Sequence, residues 1–207
     1  MSDFAAQRAG RDGESAVSPS KKRRLGSRYA VLGMLSMGLK TGYAMKKHVA
    51  GNLGHYWSES YGQIYPTLRQ LVAEGLATCI EERREGKPVR NLYAITRSGS
   101  KELREWLAVP PEPQPQRSEL LLKLSLGDRV ASATCQKLIR DHSQQCQRDL
   151  SYLSDIESSL RKPPQRHPDQ PYWLMTLRHG RAIREAELAW CSETLAHLRR
   201  LAAAAKR

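Results

Sequence analysis

The sequence predicts a mainly α chain with one small β hairpin, split into an N-terminal unit of three short helices and the hairpin and a C-terminal helical unit. Three observations carry this. Three segments of helical period occupy residues 28 to 76, and two segments of strand period follow around a turn at "EGKP". The proline-rich break "VPPEPQPQ" at 109–116 then precedes long helical runs. A length of 207 residues with 40% hydrophobic and 27% charged residues allows one or two small domains.

Residues 1–27 are polar, rich in Gly and Ser, and nearly free of large apolar groups. They bury too little surface to offset their ordering entropy, so disorder is expected. Their basic cluster, Lys21 to Arg24, either reaches along a polyanion or solubilises the tail. The first domain, 28–108, begins with "RYAVLGMLSMG", where Val31, Leu32, Met34 and Leu35 form an apolar stripe and Gly38 suits the helix end. Thr41 is an N-cap for a second helix with Tyr43, Met45 and Val49 as candidate core groups. "NLGHYWSES" is a loop. Ser60 caps the third helix, in which Ile64, Leu68, Leu71 and Val72 recur at helical spacing and Gly75 closes the run.

Pro66 lies inside that third helix. Its missing N–H costs about 3 kcal/mol deep in a helix but less near the first turn. Either the regular helix starts at Pro66, or it starts at Tyr61 and tolerates the proline. The second reading is preferred because Ser60 caps well and Ile64 keeps the apolar register.

The period then changes. "LATCIEERR" places Leu76, Thr78 and Ile80 on one strand face, and "RNLYAIT" places Tyr93 and Ile95 on another. Thr96 caps a helix through Trp106, with Leu103 and Leu107 as its apolar face. Its capping box is incomplete, because Gly99 stands where Glu or Gln would complete it. After the linker, residues 117–207 read as a short helix, a long one with Ile139, Cys146, Leu153 and Leu160 seven apart, and a third from Tyr172 to Ala204. In the last, Leu174, Leu177, Leu188, Trp190, Cys191, Leu195 and Leu198 are the candidate dimer-forming side chains. The same seam fits the intramolecular face of a bundle equally well.

The net charge is +13, spread along the chain, which points to a polyanionic partner, nucleic acid first. The four cysteines are far apart, with no C-x-x-C pair, so neither a zinc site nor a disulfide framework is expected. They read as small core residues. No phosphate loop, dinucleotide-binding glycine motif or nucleophile elbow is present, so no enzyme and no cofactor is expected. No apolar run is long enough for a membrane span, and no secretory signal opens the chain, so the expected location is cytoplasmic.

Three helices followed by a hairpin is the order of a winged helix-turn-helix, whose third helix enters the major groove of double-stranded DNA. On that helix Gln63 and Thr67 are candidates for base edges, since glutamine pairs with adenine and a threonine methyl touches thymine. Ser60, Tyr61, Tyr65 and Arg69 are candidates for the backbone, with packing inside the domain as the alternative for Tyr65. At the hairpin tip Arg84, Lys87 and Arg90 join them, beside Arg83, although Arg90 can instead bridge to an acidic neighbour.

The stretches "YAVLGMLSMGLKTGYAMKKHV", "GQIYPTLRQLVAEGL", "GKPVRNLYAITRSGSKEL" and "MTLRHGRAIREAELAWCSETL" together resemble the PadR family of transcriptional regulators, closely over 28–108 and more loosely over 117–200. The resemblance implies a homodimeric repressor on a palindromic operator, with a helical C-terminal dimerisation region. It also implies that some members respond to small effectors such as phenolic compounds. Trp173 and Trp190 are candidates for lining such a pocket, or for ordinary packing. The competing reading is a basic module that binds RNA or an anionic surface without sequence-specific regulation.

Overall fold

The computed structural model describes residues 19–204 apart from 55, 58, 84, 86–88, 113–116 and 163–166, and not the side chains of 19–25 and 52. Along the chain run α1 (Pro19–Ser36), α2 (Gly42–His48), α3 (Tyr61–Ala73), β1 (Ala77–Glu82), β2 (Arg90–Ile95), α4 (Arg97–Leu107), α5 (Glu119–Ser125), α6 (Ser132–Arg161) and α7 (Gln170–Ala204). The chain divides into two compact units, one ending at Lys47 and resuming at Glu59–Pro110, the other made of His48–Ser58 and Pro111–Arg207.

This corrects two expected boundaries. Helix α1 starts at Pro19, so residues 19–27 belong to it rather than to a disordered tail. Residues 1–18 of that tail, and 113–116 of the linker, lie outside the described residues. The segment 48–58, expected inside the first domain as the end of the second helix and a loop, belongs to the second unit and forms a π-helical turn over Val49–Leu53.

In the first unit α1 packs against α3, α4 and β2. Its core is built by Val31, Leu32, Met34, Leu35, Met45, Ile64, Leu68, Leu71, Tyr93 and Leu103. The predicted caps are in place. Thr41 Oγ1 accepts from Ala44 N–H at 3.2 Å, and Thr96 Oγ1 accepts from Gly99 N–H at 3.0 Å. Gly75 has φ 71° and ends α3, with Leu76 N–H reaching back to the Leu71 carbonyl at 2.9 Å. The hairpin is antiparallel, with Ala77 opposite Ile95 and Cys79 opposite Tyr93.

The register puts Ala77 and Tyr93 inward, so Ile80 is 67% exposed and Thr78 is exposed with it. Several expected core positions are corrected. Tyr43 is 66% exposed, Leu107 is exposed, and Val72 is only half-buried. Cys135, Cys146 and Cys191 are buried as expected, but Cys79 is exposed.

Arg28 of α1 fastens this unit electrostatically. Its Nε donates to Glu102 of α4 at 2.8 Å, and its Nη1 pairs with Glu74 at the end of α3. The Gln70 amide and then Arg28 hold the Glu74 carboxyl below its ordinary range. A depressed carboxylate pKa means stabilisation that is complete above the ordinary range and is lost as pH falls through the lowered value. Arg28→Ala is expected to lower the stability of the unit by about 1–2 kcal/mol at neutral pH, because the three groups are partly solvated. Urea unfolding at pH 7 and pH 3.5 checks this: the difference between wild type and variant should shrink at the lower pH.

In the second unit α6 and α7 are antiparallel. Ser132 Oγ at the start of α6 donates to the Leu198 carbonyl at 3.4 Å, and Gln170 at the start of α7 reaches the Leu160 carbonyl. The predicted seven-residue spacing of Ile139, Cys146, Leu153 and Leu160 forms the buried side of α6. Leu153, Ile156, Leu160 and Leu177 form one cluster, covered by Trp173 and Leu174.

Candidate nucleic-acid interface

The α3 helix starts at Tyr61, so Pro66 lies inside it, as the preferred reading had it. With 3.6 residues per turn, anchoring Ile64, Leu68 and Leu71 in the core turns Gly62, Pro66, Arg69 and Gln70 to the opposite, exposed side. Pro66 removes the usual donor to the Gly62 carbonyl, and both residues lie on this exposed side. Tyr61 and Tyr65 flank this face on one side, with ring centroids 6.1 Å apart. Half-buried Gln63 and Thr67 flank it on the other.

Gln63 has a local task. Its Oε1 accepts from both the Ser60 N–H and the Ser60 Oγ–H, each at 3.0 Å. Two donors on one atom fix the amide orientation and leave the Nε2 hydrogens free to point away from the cap. Arg69 is exposed and has no ion-pair partner among the described residues, whereas Gln70 is engaged by Glu74 at 2.8 Å. Tyr65 packs over Gly42, where a Cβ would come within 2.7 Å of its ring. A larger residue at the start of α2 would displace the ring, which stands 39% exposed. Tyr65, Tyr43, Thr41, Arg90 and Asn91 line an open groove of about 390 Å³ beside α3. The exposure of Tyr43 beside Tyr65, against its candidacy for the core, is visible only in the fold.

At the hairpin, Arg84 and Lys87 lie outside the described residues. Arg90 Nε pairs with Glu82 at 2.6 Å, as the alternative reading allowed, and Arg83 pairs with Glu81 at 3.4 Å. Both arginines are exposed, so these pairs are weak and phosphate can compete for the guanidinium groups.

The second unit holds a cavity of about 310 Å³ lined by Tyr56, Asp149, Tyr152, His179, Ile183 and Arg184, among others. That size suits a small aromatic molecule. Tyr152 Oη donates to the Ala50 carbonyl at 2.5 Å, which ties α6 to the π-helical turn. Burial pushes the Tyr56 hydroxyl pKa up, against a hydrogen bond to Thr176. Arg184 pairs with Asp149 at 3.0 Å and closely with Glu187. Burial works against the Arg184 charge, but Glu187 and Asp149 outweigh it.

Neither candidate tryptophan lines this cavity. Trp173 stacks on His167 at 4.7 Å and covers the α6–α7 cluster, and Trp190 meets His142 edge-on at 6.3 Å. Among the candidate dimer residues, Leu177 and Cys191 are 4% and 1% exposed within the single chain. They serve the intramolecular seam, because α6 supplies the partner face that α7 needs. Leu174, Leu188, Trp190, Leu195 and Leu198 are half-buried along α7. Exposed large apolar groups of the unit lie elsewhere, among them Leu121, Leu122, Leu126 and Val130 on and after α5, and Tyr172, Met175 and Leu201 on α7.

The chain matches the transcriptional regulator PadR-like family model over residues 31–105 and the virulence activator alpha C-terminal model over residues 116–199. The negative transcriptional regulator PadR of Bacillus subtilis is 32% identical over 136 residues, 65% of this chain and 73% of that protein. The crystal structure of Bacillus subtilis PadR in complex with operator DNA matches with a TM-score of 0.73 at 28% identity, covering 83% of this chain and 98% of that one. Its structure with p-coumaric acid matches with a TM-score of 0.67 at 28% identity, covering 83% and 97%. The three-helix and hairpin unit, its exposed α3 face and these matches agree: the chain belongs to the PadR-like family and is a DNA-binding transcriptional regulator, not an enzyme.

Proposed function

We propose that the chain is a homodimeric repressor that reads a palindromic operator and releases it when a small aromatic acid enters the cavity beside α6 and α7. The observation that carries this is the α3 face, on which Tyr61, Tyr65 and Arg69 stand exposed around a core-anchored helix. The tyrosines and Arg69 take phosphates, while Gln63 and Thr67 take base edges. The hairpin tip, with Arg84, Lys87 and Arg90, reaches the flanking backbone. Two copies related by a two-fold axis place their α3 helices about one DNA turn apart, roughly 34–36 Å. The apolar groups around α5 and on the exposed side of α7 supply the contact between copies.

For the effector, Arg184 and His179 offer donors to a carboxylate and the tyrosine rings offer flat apolar surface. The Bacillus subtilis relative, solved both with operator DNA and with p-coumaric acid, supports this pairing of sites. Footprinting on DNA upstream of the protein's own gene tests it: a palindromic protected site is expected, cleared by a hydroxycinnamic acid. His179→Ala and Arg184→Gln should each raise the acid concentration for half-release about tenfold or more, with operator affinity in its absence unchanged. Binding no tighter than to random DNA at physiological salt would defeat the regulator-on-operator reading. The basic-surface alternative predicts that result. Among the described residues no helix is long and apolar enough to cross a membrane.

A further inference from the structure

Near the middle of the α6–α7 seam a cysteine is buried among polar groups. There His142 and Cys146, one turn apart on α6, meet Glu187 of α7, with all three donor atoms within 4.8 Å of one another. The Cys146 Sγ lies 3.3 Å from Glu187 Oε2 and 3.6 Å from His142 Nε2, and the His142 to Glu187 separation is 3.8 Å. Tetrahedral zinc, with bonds of about 2.0 Å to N and O and about 2.3 Å to S, needs ligand-to-ligand edges of about 3.3–3.6 Å. The three edges are therefore those of one face of a metal-binding tetrahedron, within about half an ångström.

The geometry points to a site for a divalent transition-metal ion of the zinc class, held by His142 Nε2, Cys146 Sγ and Glu187 Oε2. The mixed N, S and O donor set suits zinc or cobalt(II), and disfavours magnesium and calcium, which take oxygen. Cys146 is 1% exposed, so the thiolate is shielded from bulk solvent. Cys191 is also buried, one turn beyond Glu187 on α7. Water completes the tetrahedron as the fourth ligand. Arg184 now gives Glu187 its positive partner. Metal binding replaces that partner, and Arg184 keeps Asp149 at 3.0 Å. The thiol proton of Cys146 leaves to solvent as the metal–sulfur bond forms, and neutral His142 donates its lone pair.

Two helices carry the ligands, 41 residues apart along the chain from Cys146 to Glu187. An ion there would pin α6 to α7 at mid-length.

The test is titration of the reduced full-length protein with cobalt(II) alone. About one equivalent should bind, with a thiolate-to-cobalt charge-transfer band and the intense visible bands of four-coordinate cobalt, and zinc should displace it. Cys146→Ser should remove the charge-transfer band. His142→Ala and Glu187→Gln should weaken binding more than about tenfold. Cys79→Ser, which removes the exposed thiol, should change nothing. Zinc should also raise the thermal midpoint of wild type but not of Cys146→Ser. A folded wild-type protein that shows no thiolate band at stoichiometric cobalt overturns the site, whatever the variants do. So does a band that survives Cys146→Ser.

Discussion

Gly99→Ala is expected to destabilise the DNA-binding unit by about 3 kcal/mol, the largest stability effect of any exchange considered. A Cβ on Gly99 would lie 2.1 Å from the Leu76 carbonyl oxygen and 3.0 Å from Ile95 Cγ1. The first neighbour is backbone and cannot swing aside. That carbonyl also accepts from Thr96 N–H at 3.0 Å, and Thr96 Oγ1 donates to the Gly75 carbonyl at 2.8 Å. One clash thus pries open the junction where the end of α3, the start of β1 and the start of α4 converge. Gly99→Glu would complete the capping-box sequence that begins at Thr96 and is expected to do no better, because it carries the same Cβ. Ser98→Ala, one residue away and exposed, should stay within about 0.5 kcal/mol of wild type. Urea unfolding of the three variants decides. A Gly99→Ala midpoint equal to that of Ser98→Ala would mean that the junction yields without strain.

The second large effect is on operator binding, and Gln63 is where stability and recognition separate. Gln63→Glu keeps the acceptor that caps Ser60, so the thermal midpoint should hold or rise. It removes the amide donor and adds a negative charge toward the duplex, so operator affinity should fall by at least about 1–3 kcal/mol. Gln63→Ala should lose both the cap and the base contact. Arg69→Ala behaves differently: binding to all sequences weakens together, and the slope of affinity against salt falls by about one ion. Binding isotherms on operator and random DNA at several salt concentrations separate these outcomes. If Gln63→Glu binds operator as wild type does, Gln63 is a capping residue only.

Much of this was legible in the sequence. The helical stripe of Ile64, Leu68 and Leu71, the cap at Ser60 and the glycine after α3 are local signals, each satisfied within a turn or two of chain. So was the seven-residue spacing on α6, because one helix repeats its buried side regardless of what covers it. The family's signature stretches, which lie mostly in these segments, were readable for the same reason. Harder to read were the edges of stripes. Tyr43 carries an apolar ring that a pattern assigns inward, yet it stands 66% exposed. Helix α1 began earlier than composition implied, since a polar N-terminal turn can extend a helix whose later turns are already anchored.

The sequence by itself determined most of the helix and strand segments and their caps, and it pointed to the third helix as the one to present to DNA. These follow from backbone capping and hydrophobic period, which act over a few residues. Only the tertiary structure decided what distant residues do to one another. It showed that Gly99 is glycine because the Leu76 carbonyl occupies the space of a side chain, and that Leu177 and Cys191 face α6 within the same chain. It also brought His142, Cys146 and Glu187 within 4.8 Å. A cysteine count along the chain argues against a metal site, because ligand spacing in sequence says nothing about two antiparallel helices that lay their donors side by side.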